Sequence, residues 1–133
     1  MELHHLAIRA HDVARVGAFY RDVLGLEVVA APRSGVAWLR MGSGLLMIEP
    51  ADAATEPTGD RPSDGLFLLA LRIAADSRAR WRARLTEHGV AVTHETAFTL
   101  YVLDPEGNRV GLSHWPDDAG QLPGSAGGFI ERA

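Results

Sequence analysis

A stretch of this chain occurs twice. Leu6-Ala7-Ile8-Arg9 returns as Leu69-Ala70-Leu71-Arg72, 63 positions later, and two glycines that each close a helical pattern, Gly25 and Gly89, lie 64 apart. Either match alone is within reach of chance. Both together, with the same elements in the same order, indicate an internal duplication. The chain therefore divides into a first module at residues 1–50, a linker at 51–65, a second module at 66–116 and a tail at 117–133.

Within each module the pattern reads strand, helix, then three strands. Residues 3–10 alternate as a strand, with Leu6 and Ile8 on one side and His5, Ala7 and Arg9 on the other. Asp12 is placed to cap a helix carrying Val13, Val16, Phe19, Tyr20, Val23 and Leu24 at helical spacing, and Gly25 ends it. Strands are expected at 27–30, 36–41 and 45–50, the last two joined by Gly42-Ser43-Gly44. The linker is polar, carries two prolines and two glycines, and has no periodicity. The second module repeats the plan: a strand at 66–73, a helix capped by Asp76 or Ser77 and running to His88, and strands at 90–94, 98–103 and 108–114. Asp104-Pro105-Glu106-Gly107 turns between the last two.

Composition narrows the classes. The 133 residues are 47% hydrophobic and 23% charged, with a formal net charge of -4. That balance argues against a nucleic-acid surface, which needs clustered positive charge. No apolar run approaches the roughly 20 residues that span a bilayer. The start, Met1-Glu2-Leu3-His4-His5, lacks the basic opening and apolar stretch of a signal peptide, so a cytoplasmic protein is expected. The absence of cysteine excludes disulfides, thiolate zinc sites and a cysteine nucleophile. There is no G-x-S-x-G elbow, no P-loop and no GxGxxG.

His5-Leu6-Ala7-Ile8, then Asp12, then Phe19-Tyr20-Arg21-Asp22-Val23-Leu24-Gly25-Leu26 resembles the opening module of the vicinal oxygen chelate superfamily, the glyoxalase, bleomycin-resistance and extradiol-dioxygenase group. Asp104-Pro105-Glu106-Gly107-Asn108-Arg109 resembles its closing turn. The resemblance covers residues 3 to 115. It implies an α+β fold: two βαβββ modules forming a U-shaped mixed sheet around a cavity, helices on the outer face, with homodimers that often complete the cavity by exchanging modules.

The resemblance also implies a divalent metal, Fe, Mn, Ni, Co or Zn, held by residues from the first and last strands of each module and acting as a Lewis acid. Carried over position by position, the first module offers His5 and Glu49. The second offers Leu68 and Gly111, or Leu112 if the turn lengths differ, and none of these binds a metal. His114 is the substitute third ligand, three residues late on its strand. His4, His11 and His94 are weaker candidates.

Alternation puts Leu6, Ile8, Leu39, Met41, Leu46, Ile48, Leu69, Leu71 and Ile73 under the helices. The cavity face then holds His5, Ala7, Arg9, Trp38, Arg40, Leu45, Met47, Glu49, Ala70, Arg72 and Arg109, joined by Tyr101. Arginine binds carboxylate or phosphate in a bidentate way. The ligand expected from Arg9, Arg40, Arg72 and Arg109, with Trp38, Met47 and Tyr101 beside them, has an anionic group and an apolar or aromatic body. The competing expectation is that these arginines reach the rim and pair with Asp or Glu. Trp81 is expected in the core or an interface, and Arg78, Arg80, Arg82 and Arg84 on a solvated helix face. Two functions stay open: a metal-free small-molecule-binding protein, or a metal-dependent lyase, isomerase, dioxygenase or thiol transferase. In the second, His5 and Glu49 are ligands and Glu49 doubles as the base.

Overall fold

The computed structural model describes residues 3–29, 35–51 and 68–114. The expected linker and tail, and the tips of two expected strands at Ala30 and at Leu66–Phe67, lie outside the described residues. Two four-stranded mixed sheets and two helices make an α+β fold. In the first module β1 (His5–Ala10) is followed by α1 (Val13–Ala18), β2 (Val28–Val29), β3 (Ala37–Met41) and β4 (Gly44–Pro50). In the second, β5 (Leu69–Arg72) precedes α2 (Arg78–Glu87), β6 (His94–Glu95), β7 (Thr99–Leu103) and β8 (Arg109–Ser113).

The sheet orders are β1-β4-β3-β2 and β5-β8-β7-β6. In each, the first strand runs parallel to the fourth and the other pairs are antiparallel. The duplication is thus visible in the topology as well as in the repeated residues. Gly25 and Gly89 both adopt positive φ, 76° and 68°, so each ends its helix as the spacing implies.

The local details depart from expectation in four places. Asp12 does cap α1, accepting from the Arg15 N–H at 2.9 Å. The helix then widens into a π-helical turn at Phe19–Val23, where the Leu24 N–H reaches the Phe19 carbonyl at 3.2 Å. The wider turn lets Phe19, Tyr20, Val23 and Leu24 all enter the core. Ser77 stands at the N-cap position of α2, as one of the two expected candidates, but its side chain makes no capping bond. A 3₁₀ turn at Ala75–Ser77 leads in, and the Ser77 hydroxyl donates backwards to the Ala74 carbonyl at 2.6 Å. The expected strand at 90–94 is a loop until His94, because the Val90 N–H is taken by the Leu85 carbonyl to finish the helix. Its valines still pack against the core.

The fourth departure concerns the arginines of α2. Arg78 and Arg82 both pair with Glu95 on β6, and the two arginines hold that carboxylate below its ordinary range. Arg84 turns to the other module. Its Nε donates to the Val23 carbonyl at 2.7 Å and its Nη2 to the Asp22 carbonyl at 2.9 Å. These carbonyls sit at the C-terminal end of the first helix, where a cation is favoured. Arg80 is exposed, as expected.

The Asp104–Asn108 turn supplies the second connection between modules. The Glu106 carboxylate accepts from the backbone N–H groups of His11 and Asp12, at 2.8 and 2.7 Å. Asp104 is 4% exposed, and its carboxylate accepts from the Glu106 and Asn108 N–H groups, the Asn108 amide and the Tyr20 hydroxyl. A buried carboxylate needs this number of donors.

Burial, and then the neighbouring Asp104 charge, push ionisation of Tyr20 far above the ordinary tyrosine range. The folded state therefore keeps the phenol protonated. Its contribution to stability is complete below the unfolded value of about 10 and falls away as pH rises beyond it. Tyr20→Phe is expected to cost about 1–3 kcal/mol near neutral pH, because Asp104 loses a donor in a buried place. The same variant should flatten the alkaline loss of stability; denaturant unfolding of both proteins between pH 7 and 11 measures each effect.

Candidate functional site

Each sheet turns one face to its helix. Leu39, Leu46 and Ile48 of the first sheet, and Leu100, Val102, Val110 and Leu112 of the second, are essentially inaccessible there. The opposite parity forms the candidate site, and the strand registers fix its rungs. On the first sheet His5 lies beside Leu45, Ala7 beside Met47, and Arg9 beside Glu49. Trp38 lies across from Met47 and Arg40 from Leu45. On the second sheet Ala70 lies beside Gly111 and Arg72 beside Ser113. Tyr101 faces Gly111, Thr99 faces Ser113, and Leu103 faces Arg109. The expected cavity face is therefore one face in each sheet.

The metal candidates are not gathered. His5 and Glu49 share a face on adjacent parallel strands, but their own partners in the register are Leu45 and Arg9. Four residues separate them along the strand direction, about 13 Å at ~3.3 Å per residue. His114 follows Ser113, so it has the opposite parity. It is 8% exposed, its N–H is bonded to the Phe98 carbonyl and its ring packs edge-on against Phe98 at 5.7 Å. The His5 Nδ1 lies 2.7 Å from that of His4. His11 gives its backbone N–H to Glu106. Among the described residues, no three His, Asp or Glu side chains form a metal-binding group.

The registers also correct the repeat alignment. The Ala7–Met47 and Ala70–Gly111 rungs correspond, as do Arg9–Glu49 and Arg72–Ser113. The counterpart of Glu49 is thus Ser113, and Gly111 matches Met47. A Cβ built on Gly111 would stand 3.4 Å from Leu68 Cδ1 and 3.2 Å from Thr99 Cγ2. Leu68 and Gly111 are therefore neighbours, and the leucine side chain lies over the place where a residue-111 side chain would begin. The four-donor set that the family resemblance implies does not fit these residues.

The polar groups divide in two. Arg40 reaches the rim and pairs with Glu27 at 3.5 Å, both side chains being more than half exposed. That is the competing expectation for the arginines, realised at this position. Arg9, Arg72 and Arg109 remain on the concave face by parity. Two residues were missed from the sequence: Thr99, which donates to Ser113 Oγ at 2.9 Å, and Ser113 itself; the ring of His94, a weaker metal candidate, lies 5.6 Å from that of Tyr101. Alternation from Tyr101 and Arg109 was the signal for the hydroxyl pair. The Trp38 Nε1 is buried and has no hydrogen-bond partner among the described residues.

Two βαβββ modules, each turning a polar-and-aromatic face away from its helix, define a protein of the paired-module kind. The chain belongs to the Glyoxalase/Bleomycin resistance protein/Dioxygenase superfamily, whose family model matches residues 2–112. Among solved structures, a glyoxalase/dioxygenase from Nostoc punctiforme is similar at 19% identity and a TM-score of 0.74, over 84% of this chain and 88% of that one. Lactoylglutathione lyase from Agrobacterium tumefaciens is similar at 24% identity and 0.65, over 84% and 92%. The fosfomycin resistance protein FosX from Listeria monocytogenes, complexed with Mn(II) and sulfate, is similar at 17% and 0.66, over 84% and 88%. At these identities the likeness is one of fold. No curated protein matches the sequence.

Thr99 is 7% exposed and tethered through its hydroxyl, so its methyl has little room to retreat from a residue-111 Cβ. Gly111→Ala is expected to destabilise the protein by about 1 kcal/mol despite the higher strand propensity of alanine. Adding Thr99→Ser, which removes the methyl, should recover that loss in the same chemical-denaturation measurement.

Proposed function

We propose that this protein binds a small molecule with an anionic group and an apolar or aromatic body on its concave face, without a family-type metal centre. The observation that carries the reading is the contact of Leu68 with Gly111, where the second module's donor pair would stand. Arg9, Arg72 and Arg109 supply cations for the anionic group. Trp38, Met47 and Tyr101 supply the surface for the body. The fold accommodates an oxyanion in at least one relative, the FosX protein complexed with sulfate. A homodimer completes the cavity, and the protein is placed in the cytoplasm. Each module is a separate unit: 1–50 and 66–116, joined by the 51–65 linker.

The alternative is a metal-dependent lyase, isomerase or dioxygenase with His5 and Glu49 as ligands and Glu49 as base. It draws on their shared concave face. Their separation along the strands weighs against it, since both would have to reach one ion.

Protein purified without a histidine tag and incubated with Mn, Fe, Co, Ni and Zn salts is expected to hold no stoichiometric metal by elemental analysis. Stoichiometric metal in the parent protein, lost in His5→Ala and Glu49→Ala, would sink the binding reading. On the ligand side, 1-naphthoate should bind, and Trp38→Ala should weaken it by about tenfold, as read by calorimetry.

A further inference from the structure

A cavity lies between the modules along the edge strand β5, and its lining takes in Ala70 and Arg72 from the concave rungs. Its volume is about 460 Å³, within the range of small-ligand sites. Leu24 and Leu26 at the end of the first helix form one wall. Leu69, Leu71 and Leu112 of the second sheet form another, and Trp81 of α2 contributes an aromatic surface. Met41 and Leu3 belong to the lining as well. Leu3 is 58% exposed, an apolar side chain left in water where the cavity opens.

Arg72 is the one charged residue in this lining. Among the described residues no carboxylate lines the cavity and none pairs with Arg72. The repeat makes the contrast sharper. The first-module counterpart, Arg9, stands in register beside Glu49, whereas Arg72 stands beside Ser113. A cation without an internal counter-charge, at the edge of an apolar chamber, is complementary to a molecule with one anionic end and a hydrocarbon body.

We propose that this intermodule cavity is a binding site for an amphipathic monoanion, an alkyl or aryl carboxylate, with its carboxylate on Arg72 and its apolar body between Leu24, Leu26, Leu71 and Trp81. Arg72 is common to this site and the concave-face reading, but the apolar walls share none of the Trp38, Met47 and Tyr101 surface, so the apolar contacts tell the two sites apart. Octanoate is a suitable probe and 1-octanol its uncharged control, titrated into the full-length protein by calorimetry and methyl NMR. Octanoate should shift the methyls of Leu69, Leu71 and Leu112 and bind about tenfold tighter than octanol. Arg72→Gln should remove that difference and leave octanol binding unchanged. Leu71→Phe fills the chamber from one wall and Leu26→Phe from the other. Whichever folds should weaken both ligands by about tenfold. Trp38→Ala should leave octanoate binding as it was while weakening 1-naphthoate, which separates this site from the concave one.

Three outcomes would overturn the proposal. Octanoate shifts centred on the Met47 methyl would assign the anion to the concave face. Absence of shifts at any cavity methyl would remove the site. Shifts that follow protein concentration instead of octanoate would give the apolar walls to a second copy of the chain.

Discussion

The carboxylate of Glu106 crosses from the last turn of the second module to the N–H groups of His11 and Asp12, where the first helix begins. Those N–H groups carry the positive end of the helix and have no partner inside it, so a carboxylate there is favoured by both hydrogen bonding and the helix dipole. Asp104, two residues earlier, accepts the Tyr20 hydroxyl from the middle of the same helix. At the other end, Arg84 closes the helix's last carbonyls. The first helix is thus held by the second module at its start, middle and end. The position of one sheet relative to the other depends on these contacts, and so does the chamber between them.

This arrangement gives a physical meaning to the two sequence motifs that carried the family resemblance. Taken separately, the Phe19–Leu26 stretch is an amphipathic helix end, and Asp104–Asn108 is a turn. In the structure each completes the other, because Tyr20 needs the Asp104 carboxylate and the turn's Glu106 needs the helix N-terminus. The order of elements, the concave parity and the core were legible from periodicity, since strand alternation and helical spacing are local rules. The roles of Glu106, Asp104 and Arg84 were not, because their partners lie 61 to 95 residues away in sequence. Arg84 follows Arg78, Arg80 and Arg82 at every second position, which on a helix puts neighbours on different sides. One surface label could not fit all four.

Strand alternation gives the face of each candidate residue but not its register. Alternation places His5 and Glu49 on one face, but says nothing of how far one strand has slid along its neighbour. Pairing shows that Glu49 belongs to the rung of Arg9, and that the residue beside Ala7 is Met47. Counting back from the Asp104 turn matched Gly111 to Glu49; the rungs match it to Met47. A shift of two residues preserves the face and moves the side chain by about 7 Å, which is enough to break a metal site while leaving a hydrophobicity pattern untouched.

Comparison of the two modules rung by rung shows where the duplicated halves have diverged. The helix-facing positions stay apolar in both, with Ile8 matched by Leu71 and Ile48 by Leu112. The concave positions have exchanged chemistry: His5 for Leu68, Met47 for Gly111, Glu49 for Ser113, Trp38 for Tyr101. The arginine alone is common to both rungs at the far end of the first strand. In the first module a carboxylate stands next to it; in the second a hydroxyl does. Both arginines are exposed, so water screens them and neither charge needs an internal partner. The difference between the modules is one of register: the first has a negative charge beside its arginine and the second does not. The duplicated scaffold is thus symmetric in its backbone and asymmetric in the side chains its two concave faces carry.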